Sequence, residues 1–331
     1  MAGIRFLTPC GNCGLHESCK GVYTGRLEFA ATAQCCRSLS SETSPHMQLG
    51  SLSRWLKKDA AVYEGELFNV SIQGRGTNVV FIHGLAASPD CWDGAEEFLG
   101  GNVRCHLLHM RGFSGLAPSG FREPMNFLKP MADAIAGYIR SLKAGPVAVV
   151  GHSMGGIVSL ILARDHADVV DRLMVVDVPA FFSVLINPFA TPGSIAGIAQ
   201  HARRSYAAKT KPQLQDELRS GTPKLVADPA DVERVVRWGI TSDRNVTADV
   251  MAEVMVTDLR ADVAKIEAPV DVVYAWDRSG HASKLGIDQV YASSYAGLTR
   301  GRKVRIDDAR HYVMLDQPAE FYGVVSEWLA R

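Results

Sequence analysis

The chain has 331 residues, of which 47% are hydrophobic, and its 35 Lys+Arg balance 35 Asp+Glu. That is the composition of a folded globular protein, and the neutral balance lacks the clustered cations that nucleic acid or an anionic membrane surface requires. Apolar runs such as Val147–Val150 and Leu173–Val176 fall far short of the about 18 residues of a spanning helix, so membrane spans and basic nucleic-acid binders are excluded as readings.

The first segment differs from the rest. Five of the seven cysteines, Cys10, Cys13, Cys19, Cys35 and Cys36, lie within the first 36 residues. No apolar period of 2 or 3.6 is sustained there. Arg26 and Glu28 interrupt Gly21–Ala31, the only candidate for the apolar core of a secretory signal. Cys10, Cys13, His16 and Cys19 are four soft ligands close together. Structural zinc sites, however, usually separate two ligand pairs by a longer loop. Residues 1–46 are therefore expected to be a disordered extension or leader, with no metal, and Met47 a native start before the helix-like Leu49–Lys58. Without a signal or a span, the expected location is cytoplasmic. Cys91 and Cys105 sit among apolar residues and are expected to pack as small hydrophobic groups rather than to pair.

Beyond Met47 the pattern becomes regular. Val62–Gln73 alternates as one or two edge strands, and Gly74–Gly76 makes a turn. Asn78–Ile82 and Arg104–Met110 are short apolar runs that end at His83-Gly84 and Arg111-Gly112. Asn126–Leu142 carries apolar residues at helical spacing. Pro146–Val150 is a further strand, followed by a helix from about Met154 to His166, and Leu173–Val178 is another. From Pro179 to Lys265 no strand is expected, only helical pieces punctuated by Pro188, Pro192, Pro212, Pro223 and Pro229. Strands resume at Val270–Ala275 and Lys303–Ile306, and Pro318–Arg331 forms a last amphipathic helix. This alternation predicts an α/β fold, a mostly parallel doubly wound sheet with helices on both faces. The expected division is a core of 47–178 and 266–331, with 179–265 a helical cap over one end of the sheet.

The strongest chemical signal is Gly151-His152-Ser153-Met154-Gly155-Gly156, between a strand and a helix. A bare G-x-S-x-G arises by chance in roughly one chain in ten of this length; its specificity comes from the strand-turn-helix context. There a serine projects above the sheet, Gly151 and Gly155 offer no side chains to clash, and free helix N–H groups point at the site.

With these residues the chain resembles the capped, serine-dependent α/β-hydrolases over roughly residues 62–331. The resemblance implies that Ser153 is the nucleophile, that the Met154 N–H is one oxyanion donor, and that the second comes from the His83-Gly84-Leu85 loop at the Leu85 N–H. Each such donor is worth about 3 kcal/mol in comparable sites. It implies a base in the last loop, where His311 lies in Asp307-Asp308-Ala309-Arg310-His311-Tyr312, and an acid between nucleophile and base. Asp277, after the strand Val270–Ala275, is the expected acid, although Ala275-Trp276-Asp277 is one residue short of the family's Gly-x-x-Asp spacing. Asp177, after Leu173–Val176, is the alternative. His281 is a rival histidine expected to be solvent-exposed. His83 and His152 are expected to shape the pocket, and His106, His109, His166 and His201 to be surface or packing residues.

The implied chemistry is hydrolysis of a small-molecule carboxylic ester through an acyl-enzyme, with no metal or organic cofactor, no nucleic-acid partner and no integral membrane contact. Phe181, Phe182, Val184, Leu185, Ile186, Phe189, Ile195 and Ile198 make 179–265 apolar. Most are expected to pack onto the sheet domain, and a minority to line an acyl or alcohol pocket. Carbon–carbon bond hydrolases, lactonases, thioesterases and cofactor-free haloperoxidases share the serine triad and stay open. So does a catalytically silent binding protein of the same fold. The related dehalogenases and epoxide hydrolases use an aspartate at the elbow, against which Ser153 argues.

Overall fold

The computed structural model describes residues 61–118, 123–280 and 283–331. The expectations for residues 1–46, for Met47 and Leu49–Lys58, and for His281 lie outside the described residues. Strands β1 (Ala61–Glu64), β2 (Phe68–Gly74), β3 (Thr77–Ile82), β4 (Val103–Met110), β5 (Val147–His152), β6 (Val170–Val176), β7 (Val270–Trp276) and β8 (Lys303–Asp307) form one sheet. Their spatial order is β1-β2-β4-β3-β5-β6-β7-β8. β1–β2 and β2–β4 are antiparallel, and every other pairing is parallel.

The α-helices are α1 (Ala95–Leu99), α2 (Leu128–Ser141), α3 (Met154–Asp165), α4 (Pro192–Ala208), α5 (Lys211–Gly221), α6 (Pro229–Thr241), α7 (Arg244–Val256), α8 (Lys284–Ser294), α9 (Val313–Asp316) and α10 (Pro318–Leu329), with short 3-10 turns between elements. A parallel strand has a helix on each face, so its side chains are buried in both directions. All six residues of β5 are buried. Period-two alternation deals them to opposite cores. Val147 and Val149 join Val80, Ile82, Leu173 and Val175 against α2, α3 and α8. Ala148 and Val150 join Phe81, Met174 and Val273 against α1 and α10, with Trp92, Phe321 and Trp328. Cys91 and Cys105 are free and buried in this second core. Burial holds the Cys91 thiol well above its ordinary range and raises that of Cys105 to about 12.

Two boundaries differ from the sequence pattern. β6 begins at Val170 because Asp171 and Arg172 extend it into solvent at its amino end, where polar side chains cost nothing. Helix α8 fills the β7–β8 crossover, started by Ser283, whose hydroxyl accepts the Gly286 N–H at 3.0 Å.

Between β6 and β7 the described chain is helical apart from one isolated bridge, Phe181 with Asp258. The prolines start helices rather than merely break them: Pro192, Pro212 and Pro229 sit in the first turns of α4, α5 and α6, where a missing N–H is harmless. Thr191 and Thr210 close capping boxes with Ser194 and Gln213. Ile195 and Ala199 of α4 pack on Ala252 and Met255 of α7. This insertion is tied to the sheet layers by Glu253, whose carboxylate accepts the Phe127 and Leu128 N–H groups at 2.8 and 3.1 Å. Phe127 has no capping side chain of its own, so Glu253 satisfies two orphan donors of α2. Of the eight apolar insertion residues, Phe181, Val184 and Ile195 are buried and Phe182 is half-buried, whereas Leu185, Ile186, Phe189 and Ile198 face solvent. Packing onto the sheet thus accounts for fewer of them than their composition suggests. No helix among the described residues is long and apolar enough to cross a membrane.

The end of β3 is brought against the start of α3 by a close backbone approach. A Cβ on Gly155 would lie 2.3 Å from the Ile82 carbonyl oxygen and 2.6 Å from that of His83. Gly155→Ala should therefore destabilise the fold by at least about 1–3 kcal/mol, the range for an overpacked core, measured as a lowered midpoint in urea unfolding.

Candidate active site

The carboxyl ends of β3, β5 and β6 converge with the loop after β8. Ser153 caps the N-terminus of α3 with φ 55° and ψ −122°. This left-handed backbone is unfavourable for a side chain bearing a Cβ and costs on the order of 1–3 kcal/mol. It persists because the turn is held on both sides. The Ser153 N–H donates to the Val176 carbonyl at 2.9 Å, and Gly156 N–H donates to the Ser153 carbonyl at 2.8 Å. Gly151 cannot carry a side chain, since its Cβ would meet the Ser159 hydroxyl and the Gly155 carbonyl. Met154, buried, occupies the first turn of α3, where backbone N–H groups lack intrahelical acceptors. On the facing side Gly84 comes close: a Cβ there would lie 3.1 Å from Ser153 Cβ. The His83-Gly84-Leu85 loop therefore runs directly beside the serine.

The acid expected from chain order is not the one beside the histidine. His311 Nδ1 lies 2.8 Å from Asp177 Oδ2. A carboxylate only accepts, so Nδ1 carries the proton, and in the neutral ring Nε2 is the acceptor. Asp177 has φ 51°, and its N–H donates to the Val273 carbonyl at 2.8 Å. Its other oxygen accepts the Ala275 N–H at 3.0 Å and the Tyr291 hydroxyl at 3.1 Å. Asp277 points elsewhere. It accepts the Ser279 N–H at 2.7 Å and the Ser279 hydroxyl, and stands 3.8 Å from the Arg310 guanidinium. The Ser279 bonds hold its carboxyl below the usual carboxylate range. The reason lies in the last loop: the Ala309 N–H donates to the Trp276 carbonyl at 3.3 Å. That backbone covers the end of β7 and delivers the His311 side chain past it, to the end of β6.

Two buried histidines fix the loops around this pair. His83 donates from Nδ1 to the Gly84 carbonyl at 2.8 Å and accepts the Met110 N–H at Nε2, 3.2 Å away. Burial drives its pKa down to about 3, so it stays neutral and keeps both roles. His152 Nε2 lies 2.9 Å from the His311 carbonyl oxygen, which requires a proton on Nε2. Burial, then the nearby His311, press its pKa well below the ordinary histidine value. Of the other histidines, His106 is buried between Tyr138 and Asn78, and His109 bonds the Phe113 carbonyl.

Residues 79–324 match the sequence model of the alpha/beta hydrolase family. The chain belongs to that family. Among curated relatives of this alpha/beta hydrolase, a pimeloyl-[acyl-carrier protein] methyl ester esterase of Aeromonas hydrophila is 24% identical over 276 residues, covering 79% of this chain and 99% of the relative. An (E)-2-((N-methylformamido)methylene)succinate hydrolase of Acinetobacter baylyi is 22% identical over 259 residues, covering 78% of this chain and 92% of the relative. In structure, it is similar to a hydrolase from Pseudomonas aeruginosa, with a TM-score of 0.67 at 18% identity over 83% of this chain and all of the other. It is also similar to the enol-lactonase from Burkholderia xenovorans, with a TM-score of 0.64 at 17% identity over 81% and 99% of the two chains.

Tyr291 is the site residue that the sequence pattern left unseen. It lies on α8, whose spacing did not stand out, and its phenol reaches the carboxylate of Asp177. Burial, reinforced by the negative charge of Asp177, holds the phenol well above its usual pKa, so it remains a donor into alkaline solution. Tyr291→Phe in this hydrolase should cost about 1.5–3 kcal/mol of stability, the range for a hydrogen bond to a charged group, read from urea unfolding.

Proposed function

We propose that this alpha/beta hydrolase cleaves carboxylic esters through an acyl-enzyme formed on Ser153, with His311 as base and Asp177 as the acid that orients it. The observation that carries the reading is the 2.8 Å His311–Asp177 contact, with the ring of His311 4.5 Å from that of His152, the residue before the serine at a strained strand-to-helix turn. The bare Nε2 of His311 would accept the hydroxyl proton as Ser153 attacks the carbonyl carbon. The Asp177 carboxylate would stabilise the imidazolium that results. The Met154 and Leu85 N–H groups would hold the tetrahedral oxyanion, a position suited to them because Gly84 brings its loop against Ser153. Collapse would return the proton to the departing alcohol, and a water activated by His311 would then release the acid. None of these steps calls on a metal or an organic cofactor.

Small to medium, fairly apolar esters fit the surroundings best. From Val178 to Ala202 the chain contains no Asp, Glu, Lys or Arg, and this stretch leaves the sheet directly after Asp177. With residues 179–265 as a cap, the wall nearest the acid would offer an acyl or alcohol group apolar contact and no ion pair. The methyl ester esterase among the relatives supports the ester class.

The purified chain should turn over p-nitrophenyl acetate or butyrate, and Ser153→Ala or His311→Ala should lower kcat by on the order of 10³–10⁶. Equal rates for Ser153→Ala and the unaltered chain would remove the serine-ester reading. For the acid, Asp177→Asn should lower kcat by about 10⁴, as loss of the orienting carboxylate does. Asp277→Asn should stay within a few-fold of the unaltered rate. The opposite ranking in the same ester assay would return the role to Asp277.

A further inference from the structure

Beyond the triad, one side chain touches both the loop that bears His311 and the loop that bears Gly84. His152 is fully buried. Its Nε2–H donates to the carbonyl of His311 at 2.9 Å. Its ring lies against the ring of His311, centroids 4.5 Å apart, and against that of Tyr312 at 5.0 Å. On the opposite side Nδ1 lies 3.0 Å from the point a Cβ on Gly84 would occupy, and the edge of Trp92 closes the packing at 6.4 Å. A single imidazole thus stands between the elbow that it precedes, the loop carrying Gly84 and the loop carrying His311.

A filler role does not explain an imidazole here. Nδ1 is buried and has no hydrogen-bond partner, and burying an unpaired polar nitrogen is unfavourable. A phenyl ring would occupy similar space without that penalty. What phenyl lacks is the Nε2–H. We propose that His152 is a positioning residue: its Nε2–H pins the backbone of His311, and its ring supports the face of the base, so that Nε2 of His311 stays in register with Ser153. The inference rests on the serine-hydrolase reading above. It adds that the register of the base is set from the nucleophile's own turn as well as from Asp177.

His152→Phe, which keeps a ring but not the donor, should lower kcat by about 10- to 100-fold with KM within about twofold, as small misplacements of reacting groups do. His152→Gln, whose amide restores a donor at similar reach, should recover most of the loss. The rate at which a fluorophosphonate phosphonylates Ser153, with fluoride leaving, should fall and recover in parallel, because that attack needs the same base. Unchanged kcat in His152→Phe, a loss confined to KM, or a Gln variant as slow as Phe would overturn the proposal. A wild-type chain whose Ser153 takes no label and which turns over no ester would instead remove the underlying serine-hydrolase reading. Should His152→Phe fail to fold, ¹⁵N NMR of the histidine rings in the unaltered chain decides. The proposal requires Nε2–H with bare Nδ1 at His152, and the reverse tautomer overturns it.

Discussion

The hydrogen bond between His311 and Asp177 joins residues 134 positions apart, and much of the fold serves to make it possible. Asp177 is held in place, its N–H bonded to the Val273 carbonyl, because β6 lies beside β7, and Ser153 is hung in turn from Val176, the last residue of β6. The bond also needs a last loop that crosses the end of β7, which the Ala309–Trp276 bond provides. A half-buried carboxylate would be costly on its own. It is made tolerable by three converging donors: the Ala275 N–H, the Tyr291 hydroxyl and the His311 ring.

Three of the seven described non-glycine residues with positive φ lie at the same edge. Ala86, Ser153 and Asp177, just beyond β3, β5 and β6, all hold positive φ without being glycine. Such angles persist only where surrounding structure overdetermines them. Here the overdetermining structure is the parallel sheet, whose strands are buried on both faces and cannot shift without opening two cores. The rigid layers therefore hold these backbone outliers at the carboxyl ends of neighbouring strands.

Much of this was legible in the residues. Continuous apolar runs such as Val147–Val150 read as buried parallel strands because both of their faces are covered. G-H-S-M-G after such a run located the elbow, since close approach at Gly155 leaves no room for another residue. His311 was legible from its place between the last strand and the terminal helix. The acid was not. Asp177 and Asp277 each follow a buried strand, and chain order permits either. Helix α8, and with it Tyr291, escaped notice because its apolar residues Ile287 and Tyr291 are spaced among polar and small ones. The solvent-facing Leu185, Ile186, Phe189 and Ile198 show the same limit from the other side, since composition cannot say which way a helical segment turns.

By itself the sequence determined the alternation of strands and helices, the turn that bears Ser153 and the loop that bears His311, because those depend on local periodicity and on steric demands within a few residues. Tertiary structure decided which carboxylate His311 meets, which phenol steadies it, and that His152 bonds the carbonyl of His311. Those choices depend on the path of the loop over β7 and on the lateral order of strands far apart in the chain, and no local pattern encodes either.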